Sequence, residues 1–287
     1  MRRKEAMTRQ LKIRKATAKE VKPFTLNELL AIAIALMLLA SLAAPSLMEA
    51  KAVFKKSLCM DNLIVLSKAS QLYVDAAGCY APAASDSLLR WHGQLREDLT
   101  KRPDSTKSPL RPFMKGLKAL KPCPSFESEA SDSRPAPEKG GGGYGYNENI
   151  GSLRAVQTEF DLWDPRCKAS GILPGDLVTP RETALFTDTA TRTDGQGEVD
   201  ASGSLAESAF CKSYDIYNKG RPMWGTPNPT IHFRHQGSAL IAWCDGHISS
   251  ESPSRSKGEW GKSSLGFVGS RTHSAFLPRR PVKEDTL

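Results

Sequence analysis

The chain has 287 residues, 39% of them hydrophobic and 25% charged, which suits a folded protein and excludes a highly charged disordered chain. Its net charge of +9 is concentrated: nine of the 40 Lys and Arg residues and two acids lie in residues 1–23, so that segment carries +7. The remainder is nearly balanced and lacks basic residues interleaved with aromatics, which argues against a nucleic-acid partner.

The elements follow in chain order. Residues 1–23 read as a basic leader. Residues 29–44 are LLAIAIALMLLASLAA, uncharged and free of helix breakers until Pro45. Extended to residues 24–48, the stretch reaches membrane-spanning length, and the basic flank predicts a cytoplasmic N-terminus. Glu28 is the one charge inside it, and a carboxylate beside hydrocarbon costs at least ~2.5 kcal/mol unless it is paired or lies at the interface. An ordinary signal peptide cleaved near SLAAPSL and a plain anchor with Glu28 at the headgroups are both compatible with this stretch.

Beyond Pro45 the pattern becomes amphipathic. Cys59, Leu63, Leu66, Ser70, Tyr73 and Ala77 form a stripe at 3–4 spacing, widened by Leu58, Val65, Ala69, Leu72 and Ala76. Gly78 is placed to end the helix. One helix over residues 24–77 follows. Cys59 and Cys79 would lie ~30 Å apart along it, too far for a disulfide. The six cysteines form no C-x-x-C, so zinc-ribbon and thioredoxin-like readings are weak, and outside the cytoplasm they permit up to three disulfides.

Further along, residues 87–99 suggest a short helix. Residues 131–143, ending in four glycines, suggest a flexible loop, since no Lys-Ser/Thr follows to make a phosphate-binding loop. Tyr144 opens an ordered segment, and Thr183 to Asp188 reads as a short buried strand. Residues 195–204 suggest a polar loop. Ser238 to Cys244 reads as a strand, Asp245-Gly246 as a two-residue hairpin turn with both φ angles positive, and His247 to Ser249 as the return strand. Residues 253–287 suggest a mobile tail. No G-x-S-x-G or H-E-x-x-H is present, and the pairs Asp161/Asp164 and Asp188/Asp194 are of a kind that acidic loops supply freely, so no catalysis is expected.

Two stretches carry a family resemblance. KPFTLNELLAIAIALMLLASLAAPSLMEA resembles the N-terminus of type IV pilins and type II secretion pseudopilins. The resemblance implies cleavage by a prepilin peptidase between Pro23 and Phe24, methylation of Phe24, Glu28 as the fifth mature residue and Pro45 as a helix-kinking proline. Pro23 stands where the family usually has Gly, and Asn27 where it usually has an apolar residue. The second stretch, IHFRHQGSALIAWCDGHISSE, resembles the prepilin-associated H-X9-DG motif, with His235, Asp245 and Gly246 as its fixed points and Arg234 and His247 beside them. Cys123-Pro124-Ser125, Tyr144-Gly145-Tyr146-Asn147 and Leu185-Phe186-Thr187-Asp188 also look like that family.

What the resemblance implies is an α+β, pilin-like fold, with one long N-terminal helix on a small antiparallel head. The divisions would be 1–23 leader, 24–77 helix, 78–252 extracytoplasmic head and 253–287 tail. The expected function is that of an inner-membrane pilin or pseudopilin subunit with a periplasmic or extracellular head. Its partners would be the peptidase, other subunits and membrane lipid, and in assembly Glu28 would face a neighbour's α-amino group. The alternative is an anchored binding module that never polymerises. His235, Asp245 and His247 are candidate metal ligands, with zinc suited to His and calcium raised by the related pseudopilins. The competing reading has His235 hydrogen-bonding the turn, with Asp245-Gly246 serving backbone geometry.

Overall fold

The computed structural model describes residues 24–84, 88–98, 101–117, 120–126, 140–151, 171–192, 205–211, 229–254 and 264–269. The leader, Pro23 and the expected polar loop at 195–204 lie outside them, as do Asp161, Asp164 and Asp194. The chain divides into a unit ending at Ala50 and a unit beginning at Lys51.

Helix α1 runs Leu26–Ala77, with Pro45 inside it. Thr25 and Glu28 start it as a reciprocal capping box. Glu28 Oε2 accepts from the Thr25 N–H at 2.8 Å, and the Glu28 N–H donates to Thr25 Oγ1 at 3.3 Å. Gly78 ends it at φ +73°, its N–H donating to the Val74 carbonyl at 2.8 Å. Every described residue up to Ala50 is exposed, and α1 is long and apolar enough to cross a bilayer.

In the second unit the expected stripe is buried at Cys59, Leu63, Leu66, Ala69 and Ser70, but Leu72, Ala76 and Ala77 are exposed. The strands are β1 (Leu89–Arg90), β2 (Gly93–Gln94), β3 (Tyr144–Asn147), β4 (Ala184–Asp188), β5 (Thr191–Arg192), β6 (Leu205–Ala206), β7 (Phe210–Cys211), β8 (Ile231–His232), β9 (Ala239–Trp243), β10 (Ile248–Glu251) and β11 (Leu265–Gly266). The main sheet has the order β10-β9-β4-β3-β7. The fold is therefore α+β, but the expectation of an antiparallel head is corrected: β3 and β7 run parallel, Tyr146 opposite Phe210, so the sheet is mixed.

Both faces of the sheet are covered, which is why β4 (ALFTD) and β9 (ALIAW) are buried at every position. The side chains of β9 alternate with period two. Leu240 and Ala242 join Leu63, Leu66, Trp91, Tyr146 and Phe186 in one core. Ala239, Ile241 and Trp243 join Ile231, Phe233 and Cys211 in the other. β8 and β11 pair across this second core.

Three local expectations are corrected. Residues 88–98 form the β1–β2 hairpin rather than a helix. Gly93 is held against the Asp104 carbonyl, where an added Cβ would sit 2.6 Å away, and Trp91 is locked inside by a 2.6 Å bond to the Ala209 carbonyl. The glycine run is packed rather than slack: Gly141 to Gly143 are buried, and their carbonyls accept from Tyr144, Cys123 and Thr189 N–H groups. Residues 253–254 and 264–269 belong to the fold, since Leu265 and Phe267 are buried and the Ser254 N–H bonds the Phe267 carbonyl at 2.9 Å.

At Gly141 a Cβ would lie 2.5 Å from the Tyr144 carbonyl oxygen, whereas at Gly175 it would meet nothing within 4 Å. Gly141→Ala is expected to cost about 1–3 kcal/mol and Gly175→Ala to be near neutral. Urea unfolding of the two variants checks this, and equal midpoints would sink the packed reading of the glycine run.

Candidate functional site

A carboxylate at the end of an apolar strand organises the site. Asp188 closes β4 and is wholly buried. Its Oδ1 accepts from Arg234 Nη2 at 2.7 Å. Its Oδ2 accepts from the Leu240 N–H at 2.8 Å and lies 3.2 Å from His235 Nε2. Arg234 also donates to the carbonyls of Thr189 and Gly143, and its guanidinium stacks 4.9 Å from the centre of the Phe126 ring. One buried charge cluster thus ties β4, the glycine run and the segment between β8 and β9.

The ionisation states follow from these contacts. Burial opposes the Asp188 charge, but Arg234 and His235 outweigh it and hold the carboxyl below its ordinary value. Burial likewise pulls His235 down, but hydrogen bonds to Asp188 and Cys123 outweigh it and raise the imidazole to about 9. His232 takes the opposite course. Burial, reinforced by the nearby Arg234 charge, lowers it to about 3, and its Nδ1 accepts from Arg234 Nη1 at 3.3 Å.

Around His235 two cysteines converge. Cys59 comes from α1 and Cys123 from the Cys-Pro-Ser segment, and both are buried. Their sulfurs and a His235 ring nitrogen all lie within 4.8 Å of one another, with Cys123 Sγ 3.9 Å from His235 Nε2. A hydrogen bond with Cys59 lowers the Cys123 thiol, helped by His235 and Arg234 and opposed by burial. The same hydrogen bond, with burial, raises Cys59. Beside them a cavity of about 240 Å³ is lined by Lys55, Lys56, Ser125, Arg234, His235 and Gln236, among others.

The structure does not gather His235, Asp245 and His247. The five residues of β9 separate His235 from Asp245, roughly 17 Å of extended chain. Asp245 instead accepts from the His247 N–H at 3.1 Å, with Oδ1 also 2.6 Å from Nδ1. One carboxylate already engaged this way does not fit calcium, which takes six to eight oxygen ligands. The two sulfurs and imidazole at His235 are soft donors of the kind that suits zinc, not calcium.

The backbone expectation at the turn is also corrected. The Gly246 N–H bonds the Trp243 carbonyl at 2.9 Å, and only Gly246 has positive φ, at +94°. This makes a turn centred on Cys244-Asp245 with Gly246 after it, a three-residue hairpin loop. Between His235 and Gly246 the turn with two positive φ angles is Gln236-Gly237, at +54° and +80°, closed by mutual His235–Ser238 backbone bonds. His235 therefore faces Asp188, not the Asp245 turn. Phe24 and Glu28 are exposed at the start of α1, away from this cluster along the chain.

Sequence reasoning missed the Cys59–Cys123–His235 convergence and the role of Asp188. The available signal for Asp188 was a lone acid ending an otherwise apolar strand, which needs a partner once buried. No family model, curated protein or solved structure matches this chain.

Asp188→Asn should cost about 3–5 kcal/mol, because it leaves Arg234 buried without its counter-charge; a loss under 1 kcal/mol in chemical denaturation would contradict the role given to Asp188. Between about pH 6.5 and 3, His232 is neutral when folded and protonated when unfolded, so unfolding takes up a proton and acid favours it. Stability should therefore fall as pH drops through this window, reinforced at its lower end by Asp188. His232→Asn, which keeps an acceptor for Arg234, should flatten the slope between pH 6.5 and 4.5; an unchanged slope would show that another group carries it.

Proposed function

We propose that this protein is a non-enzymatic structural subunit of the pilin or pseudopilin kind. It is anchored in the inner membrane by α1, its head lies outside the cytoplasm, and it assembles through the N-terminal half of that helix into a pilus-like or type II secretion filament. The observation that carries the proposal is the surface of residues 24–48. All are exposed, nearly all are uncharged, and the one charge is Glu28. An apolar surface of that extent requires cover. A bilayer supplies it for an isolated chain, and the same helices of other copies supply it in a filament. The peptidase, acting at Pro23–Phe24, would be the protein's processing partner.

One observation favours the alternative of a solitary anchored binding module. Glu28 is already engaged by Thr25, so the carboxylate has a local use that needs no neighbouring subunit.

The two readings separate at Glu28. Glu28→Gln keeps the capping geometry, because a Gln at this position also reaches back to the cap N–H, but it removes the charge. For a filament subunit, Glu28→Gln and Glu28→Ala should both abolish assembly, scored by sheared filament yield, while membrane insertion is unchanged. If Gln behaves as the parent chain and only Ala shows a defect, Glu28 acts as a cap and the assembly reading fails.

A further inference from the structure

The side chains around Cys59 are arranged to hold a second sulfur against it. One turn along α1, Asn62 grips the segment leading to Cys123: its Nδ2 donates to the Lys121 carbonyl at 2.9 Å and its Oδ1 accepts from the Lys121 N–H at 3.4 Å. The same Nδ2 lies 2.9 Å from the Tyr144 hydroxyl, which fixes the clamp to the sheet. The Cys123 N–H then donates to the Gly142 carbonyl at 2.9 Å. Both sulfur-bearing residues are thus positioned by their neighbours. The sulfurs lie within 4.8 Å of one another, against ~2.05 Å in a formed disulfide. Neither Cys79, Cys211 nor Cys244 joins this cluster among the described residues.

We infer that Cys59 and Cys123 form a disulfide that staples α1 to the head, closed during folding by an external disulfide donor. The inference rests on the reading above only in placing the head in an oxidising compartment. Cys123, as its thiolate, enters first, and the reverse order of the two cysteines has the same balance. The Cys123 thiolate attacks one sulfur of the donor and expels a thiol. Cys59 then attacks Cys123 in the mixed disulfide and expels the second thiol. The protein loses two electrons and two protons, one proton from each cysteine, and the donor disulfide becomes two thiols. Closure precedes final packing, because both sulfurs are buried in the folded chain. The disulfide is neutral, so it adds no charge to the core.

Two measurements on the full-length protein test this. In the first, protein from native membranes is unfolded in denaturant that already contains excess alkylating agent, digested without reduction and mapped by mass spectrometry; a Cys59–Cys123 linked peptide is expected. In the second, the purified chain in detergent is equilibrated with glutathione buffers, and the pair should stay oxidised in at least a tenfold excess of reduced glutathione. Thiols that remain free when the reduced, unfolded chain is refolded in oxidised glutathione would overturn the inference. So would stoichiometric zinc protecting both thiols, or Cys59 linked to a different cysteine. A pair that oxidises in the glutathione buffers but is alkylated in native membranes upholds the cross-link chemistry and instead removes the extracytoplasmic placement of the head.

Discussion

A single carboxylate with no access to water constrains the head. Asp188 could not be tolerated alone, since an isolated buried charge costs far more than any one contact returns. Its two oxygens are therefore engaged by a guanidinium, an imidazole and a backbone N–H. Satisfying them dictates the surroundings. Arg234 and His235 must arrive from the turn before β9, Leu240 must offer its N–H from β9 itself, and the Gly143 carbonyl must approach closely enough to take a further Arg234 donor. The glycine run permits that approach: at Gly143 a side chain would crowd Phe126 and Arg234. Such a network contributes less net stability than its contacts suggest, because desolvation offsets the attraction. Its effect is to fix which strand lies beside which.

That constraint explains what was legible in the sequence and what was not. α1 was readable because its apolar run and 3–4 stripe are local patterns, and the Gly78 stop is a local signal too. β4 and β9 were readable as short apolar runs bounded by polar residues. The Thr25-x-x-Glu28 capping box is an equally local pattern, its two ends three residues apart at the start of α1. The parallel pairing of β3 with β7 was not readable, since it joins segments more than sixty residues apart and no hairpin turn marks it. The β1–β2 hairpin looked helical because Leu88, Trp91 and Leu95 fall at helical spacing. The close approach of the Asp104 backbone to Gly93 decides the matter, and that contact is not local.

The stretch from His235 to Gly246 shows how residues close in sequence can be read as one site and their chemistry misplaced. Its residues look like one site because they are close in sequence. A β-strand between them sends them to opposite ends. His235 enters the core, where Asp188 and Cys123 hold it, while Asp245 turns outward and pairs with His247. The nine-residue spacing is then a structural measure: a tight Gln236-Gly237 turn, the strand, and a three-residue loop ending in Gly246. Spacing in a motif can reflect the span of an element rather than the reach of a ligand set.

Two carboxylates, Glu28 and Asp188, answer the same physical problem differently. Each is a charge in an apolar setting. Asp188 is compensated by cations brought from distant parts of the chain, so its role depends on the whole head folding. Glu28 is compensated by Thr25, three residues away, so its local geometry forms wherever α1 begins. A carboxylate satisfied by its own first turn keeps lone pairs for another donor, because Thr25 engages Oε2 from both its N–H and its hydroxyl. Capping and pairing with a neighbour's amino group are therefore compatible. Thr25 fixes where the carboxylate points, and pre-orientation of this kind would lower the entropic cost of any second contact.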